Sequence, residues 1–125
     1  MKILKNGIRV GNFSSPHEFL FEDGTTLDPV SEGEARSLTL AAEEVVTSRG
    51  AWMDITPSYS LTQAVRERLD SWMSTWREGQ VDIVLVSLPT LQAIKREGLF
   101  PEGHPFRTVH MDRVTKKVSV NKFCA

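Results

Sequence analysis

The stretch Val81-Asp82-Ile83-Val84-Leu85-Val86 constrains this chain more than any other. Successive side chains of a strand point to opposite faces, so a run that is apolar at both parities needs cover on both sides. The segment therefore belongs inside a sheet. Pro89 follows at a position suited to the first turn of a helix, and Thr90 to Glu97 then runs as a short helix to a stop at Gly98.

A longer helix is expected from Leu61 to Glu78. Leu61, Val65, Leu69, Trp72, Met73 and Trp76 recur at helical spacing and make one apolar stripe. Ser60 and Gln63 have capping-box spacing at its start, and Gly79 is a natural stop. Trp72 and Trp76 lie one turn apart on the stripe, which suits core packing or an oligomer interface.

Turn chemistry places the strands. Asn6-Gly7 sits between Ile3-Leu4 and Ile8-Arg9-Val10, and Asp23-Gly24 sits between Phe19-Leu20-Phe21 and Thr25-Thr26-Leu27. Both are hairpin signals, because such residues tolerate positive φ. Leu38 to Thr47 fits helix by composition and strand by alternation. The alternation of Met53, Ile55, Pro57, Tyr59 and Leu61 after Ser48-Arg49-Gly50 favours two long antiparallel strands, with Pro57 at an edge or bulge. Strands at Phe106–Met111 and Lys117–Phe123 finish the chain. With 125 residues and no linker, the expectation is one small domain, 1–125, of α+β class: a mostly antiparallel sheet with two helices.

Composition closes several routes. The net charge of −1 gives no reason to expect duplex nucleic acid as partner. A single cysteine, Cys124, excludes an intrachain disulfide and a cysteine-built zinc site. His17, His104 and His110 are far apart, without metal-ligand spacing, and His104 between Gly103 and Pro105 reads as an exposed loop residue. Ser14, Ser15 and His17 share a loop but have no nucleophile-elbow pattern. No run approaches the ~20 apolar residues that span a bilayer, and the N terminus lacks a leader pattern, so a soluble cytoplasmic protein is expected. No catalytic residue, metal site or cofactor is expected.

Charge is uneven along the chain. His17 to Glu44 is strongly acidic, whereas Pro101 to Ala125 carries Arg107, Arg113, Lys116, Lys117 and Lys122. Within that tail, Asp112-Arg113-Val114-Thr115-Lys116-Lys117 is the densest polar cluster. Arg113 offers a planar fork for phosphate oxygens, Thr115 a hydroxyl, and Asp112 a carboxylate that could orient the Arg. On spacing alone, a turn that simply caps the hairpin is the simpler reading of the same residues. Ser87-Leu88-Pro89-Thr90 is a second anion candidate, because free N–H groups collect at a helix start; a plain cap is the simpler reading. Phe13, Phe100 and Phe106 are the aromatics that could stack a base, and the sequence does not choose among them.

Three blocks resemble a known family: Lys5 to Phe19 with Phe21-Glu22-Asp23-Gly24, Val81 to Val86 with Leu88-Pro89, and Asp112 to Lys117 ending at Phe123-Cys124. Together they resemble the phage proteins that counter the Thoeris immune system. The resemblance implies a sponge that holds a cyclic ADP-ribose-type signal without degrading it. Some members also take cyclic oligonucleotides at separate sites in a higher oligomer. Asp112, Arg113 and Thr115 match the ligand-facing stretch. The family often has another Arg shortly before the Asp; here Val109 and His110 stand there and Arg107 lies further back, so Arg107 or His110 would compensate. Gln92 and Thr90 are further candidate contacts.

The resulting expectation is a non-enzymatic binder in the cytoplasm of an infected bacterium, working as a homo-oligomer, a dimer or dimer-based hexamer, with a pocket between protomers. A phosphodiesterase that opens the signal and a protein-binding inhibitor of a host enzyme stay open as alternatives.

Overall fold

The computed structural model describes residues 1–125. The elements follow the turn signals closely. Strands β1 (Lys2–Ile3) and β2 (Arg9–Asn12) form the first hairpin. Strands β3 (Phe19–Leu20) and β4 (Thr26–Leu27) form the second. Helix α1 (Glu32–Ser37) precedes the long strands β5 (Ala41–Ser48) and β6 (Met53–Ser60). Then come α2 (Gln63–Arg77), β7 (Ile83–Leu85), α3 (Leu88–Glu97), β8 (Phe106–Met111) and β9 (Val118–Cys124).

The main sheet has the order β1-β2-β7-β8-β9. Its centre is parallel, β2 with β7 and β7 with β8, while β1–β2 and β8–β9 run antiparallel, as do the separate pairs β3–β4 and β5–β6. The domain is thus a single α+β unit with mostly antiparallel pairings. The parallel centre follows from the two crossovers: α2 returns the chain from the β2 side to β7, and α3 returns it from β7 to β8.

The strands advance in one direction, β2 to β7 to β8, so both crossover helices fall on one face. Val65, Leu69 and Met73 of α2 and Leu91, Ala93 and Ile94 of α3 bury against Val84, Val86 and Phe106. The opposite face carries Val10, Leu85 and Val118, covered by Leu4, Phe21 and Leu27 from the two small hairpins. Strand β7 is therefore covered on both sides, as its sequence requires.

Arg9 fastens β2 to the entry of β7. Its guanidinium donates twice to the Asp82 carboxylate, at 3.1 and 3.0 Å, and its backbone N–H donates to the same group at 2.8 Å. These charge-assisted bonds hold the Asp82 carboxyl below the usual carboxylate range.

Three details differ from the sequence reading. The long helix is capped by Thr62, whose hydroxyl accepts from the Val65 N–H, while Ser60 ends β6. The short helix starts two residues earlier, at Leu88, with Ser87 as its cap. A third helix, α1, is present; its Ser31 side chain accepts from the Glu34 N–H.

The segment whose composition was ambiguous is a strand. β5 and β6 pair over their whole length, Ala41 opposite Ser60 through Ser48 opposite Met53. Almost every residue of this hairpin is exposed, so it stands away from the body as an arm. Its base is tied to α3, where the Arg96 guanidinium donates to the Tyr59 carbonyl. No helix is long and apolar enough to cross a membrane.

Candidate functional site

The largest hollow, about 710 Å³, opens between the C-terminal end of α3 and the start of β8. That size lies within the range typical of small-molecule sites. Gly98 ends α3 in the left-handed conformation (φ 60°), which turns the chain out of the helix into the loop Leu99–Pro105. The loop returns at Phe106, which is fully buried in the core. Lys95 on the last turn of α3, Phe100 and His104 on the loop, and Arg107 on β8 thereby line one space.

Packing fixes each of these groups. The Phe100 ring lies 5.4 Å from Phe106 and 6.3 Å from His104, centroid to centroid. His104 is half-buried, and its Nδ1 accepts from the Phe106 N–H at 3.2 Å. The expectation of an exposed loop histidine is therefore corrected: the loop folds back on its own aromatic core. An acceptor Nδ1 places the proton of the neutral ring on Nε2. Burial, then the positive charges of Arg107 and Lys95, push the His104 pKa down, so the imidazole is neutral near pH 7.

Arg107 spends a single nitrogen on the protein. Its Nη1 donates to the carbonyls of His104 at 2.6 Å and Phe106 at 2.7 Å, leaving Nε and Nη2 without a protein acceptor. A guanidinium oriented in this way presents two N–H directions to an incoming oxyanion. Glu102 and Ala125 also line the space. After burial, Arg107 and Lys95 are the charges that lower the His104 pKa.

The aromatic candidates now separate. Phe13 and Phe106 are completely buried, whereas Phe100 is partly exposed along the hollow. Lys95 and Phe100 carry no local motif that marks them as a pair; only the helix stop at Gly98 and the returning β8 bring them together.

The remaining sequence candidates lie elsewhere. Asp112, Arg113 and Thr115 form the β8–β9 turn. The Asp112 carboxylate accepts from the N–H groups of Val114 and Thr115, both at 2.8 Å, and these bonds lower its pKa. Asp112 thus shapes the turn and makes no bond to Arg113. Thr115 Oγ1 accepts from the Lys117 N–H at 3.3 Å, and Arg113 is exposed. His110 pairs through Nδ1 with Ser119 Oγ at 3.0 Å. Gln92 is exposed on α3, and buried Thr90 bonds with Ser87 inside the helix cap at 2.9 Å. Of the anticipated residues, only Arg107 reaches the large hollow.

In the N-terminal loop, Ser15 Oγ meets backbone atoms of His17 and not its ring. A second hollow, about 550 Å³, lies near the ends of β2 and β7; Phe19, Leu88 and Val109 are among its lining residues, and no charged side chain is. No group of side chains has the arrangement of a metal site.

Comparison with protein-family models, curated proteins and solved structures finds no match.

Proposed function

We propose that this protein sequesters a small phosphorylated signal of the cyclic ADP-ribose type without cleaving it, and thereby inhibits anti-phage defence. The observation that carries the proposal is the convergence of Arg107, Lys95, neutral His104 and the Phe100 ring on one hollow. Such a ligand needs a flat surface for its base and convergent cations for its pyrophosphate. Phe100 supplies the first. Free N–H groups of Arg107, with Lys95, supply the second.

The proton placement favours holding over cutting. A phosphodiesterase that used His104 as its general base would need an unprotonated nitrogen aimed at the attacking group. In His104 the free nitrogen, Nε2, bears the proton and serves as a donor. The resemblance in the N-terminal block, the Val81–Val86 strand and the Asp112–Lys117 turn supports the same class of ligand. In this reading Arg113 and Thr115, at the exposed turn, contribute only where a second protomer brings them to the ligand.

The test is recovery of the ligand. The protein is incubated with a panel of cyclic ADP-ribose isomers, then heat-denatured, and the supernatant is analysed. Intact ligand released in a fixed ratio to protein is expected. Linear product in excess of the protein would establish an enzyme and overturn the proposal.

A further inference from the structure

Phe100 lines two spaces: the hollow at Arg107 and a smaller one of about 320 Å³. The other walls of the smaller space are Gln63, Arg66 and Asp70 of α2 and Leu99 of the loop. The three α2 residues stand at i, i+3 and i+7, so they share one face of the helix. The Arg66 guanidinium pairs with the Glu97 carboxylate, which ties α2 to the last turn of α3. Lys95 lies on that same turn and lines the larger hollow. The two spaces thus adjoin at one aromatic ring and one helix end.

Their polar groups differ in kind. The larger hollow offers N–H donors from Lys95 and Arg107, with Glu102 beside them. At the smaller one, the charge of Arg66 is matched by Glu97. The Asp70 carboxylate is exposed and belongs to no ion pair. Gln63 donates through Nε2 to Glu67 Oε1 at 3.2 Å, which leaves its amide oxygen free. Together Arg66, Glu67, Asp70 and Glu97 carry net negative charge. A phosphate entering here would meet repulsion, whereas hydroxyl groups would find two oxygen acceptors.

We infer that the smaller hollow holds a ribose of the ligand bound at Arg107. Asp70 and the Gln63 amide oxygen accept from its hydroxyls, and Asp70 excludes a sugar that carries a further phosphate. The inference rests on the proposed sequestration of a cyclic ADP-ribose-type ligand. Ribose links the base of such a molecule to its pyrophosphate. A base on Phe100 with phosphates at Arg107 therefore leaves a sugar beside the adjoining space. A carboxylate suits that sugar twice over: it makes charge-assisted bonds to the hydroxyls, and it sets like charge against a phosphate in their place.

The test is titration calorimetry with the tightest-binding cyclic ADP-ribose isomer and with its two derivatives phosphorylated on one ribose or the other. The wild type is expected to bind at least one derivative roughly tenfold more weakly than the parent. Asp70→Ala, an exposed change on a helix, should keep the unliganded melting temperature. It should weaken the parent by about 10- to 150-fold and narrow the preference against that derivative. Lys95→Gln, which reports on the larger hollow, should weaken parent and derivative alike. A wild type without the preference overturns the inference, as does an Asp70→Ala variant that binds the parent as tightly as the wild type. If Lys95→Gln still weakens binding, the sequestration proposal survives that result. A wild type that binds no isomer overturns both.

Discussion

The indole of Trp72 lies directly against the backbone of Gly11. A β-carbon built on Gly11 would sit 2.5 Å from Cη2 of that ring and 2.8 Å from Cζ3. Gly11 pairs with Val84 in the middle of the parallel sheet, so here α2 approaches β2 through the absence of a side chain. Gly11→Ala is expected to destabilise the domain by about 1–3 kcal/mol, the usual cost of overpacking. Urea denaturation measures the loss. Combining it with Trp72→Leu should recover part of the stability, because the smaller side chain vacates the contested volume.

Arg107→Gln should weaken ligand binding by on the order of 1.5–3 kcal/mol, the value of a hydrogen bond to a charged group, or about 10- to 150-fold in Kd. Arg107 also donates to two carbonyls, so its unliganded melting temperature must be measured alongside. Lys95→Gln is cleaner, since Lys95 is exposed and holds nothing else in place. Titration calorimetry should show weaker binding with the fold unchanged. Equal affinity in both variants would remove the hollow from the binding site.

His104 makes stability pH-dependent. Its folded pKa lies below the unfolded value of about 6.5. The folded state therefore binds fewer protons, and stability rises with pH across the interval between the two values. The contribution is fully present above the unfolded pKa and is lost as the pH falls through the folded one. Protonation also costs the bond from the Phe106 N–H. Melting temperatures between pH 7.5 and pH 5 should fall for the wild type, and His104→Gln should flatten that part of the decline.

Thr62→Ala should cost about 0.5–2 kcal/mol, the range for losing an N-cap. Ser60→Ala should cost little, because Ser60 ends a strand and its side chain caps nothing. Chemical denaturation of the two variants separates the cap seen in the structure from the one suggested by Ser60–Gln63 spacing.

Local chemistry made most of the elements legible. Asn6-Gly7 and Asp23-Gly24 become turns with positive φ at Gly7 and Gly24, and the run at Val81–Val86 becomes the twice-covered β7. Helix α1 also had a signal, Ser31 three residues before Glu34, but its six residues have no buried side chain and hence no apolar stripe. The parallel pairing of β2 with β7 was harder to read, because it depends on where a whole helix returns the chain. The candidate site was mostly hidden for a similar reason. Lys95, Phe100, His104 and Arg107 sit on three different local structures, and their convergence depends on the turn at Gly98 and the burial of Phe106. Arg113 and Thr115 attract attention in the sequence because they are close together, but in the structure that closeness serves a turn.

The seating of β7 between β2 and β8 has a consequence during synthesis. Val10 meets Ile83 across the ladder, so the first long strand waits for a partner about 70 residues downstream. At roughly 5–20 residues per second, the nascent chain carries that strand unpaired for about 4–15 s. During that interval Val10 and Phe13 lack the cover they have in the native protein. Chaperone demand should therefore peak before the ribosome reaches the codons for Ile83 to Leu85, and slow codons placed upstream of them should lower the soluble yield.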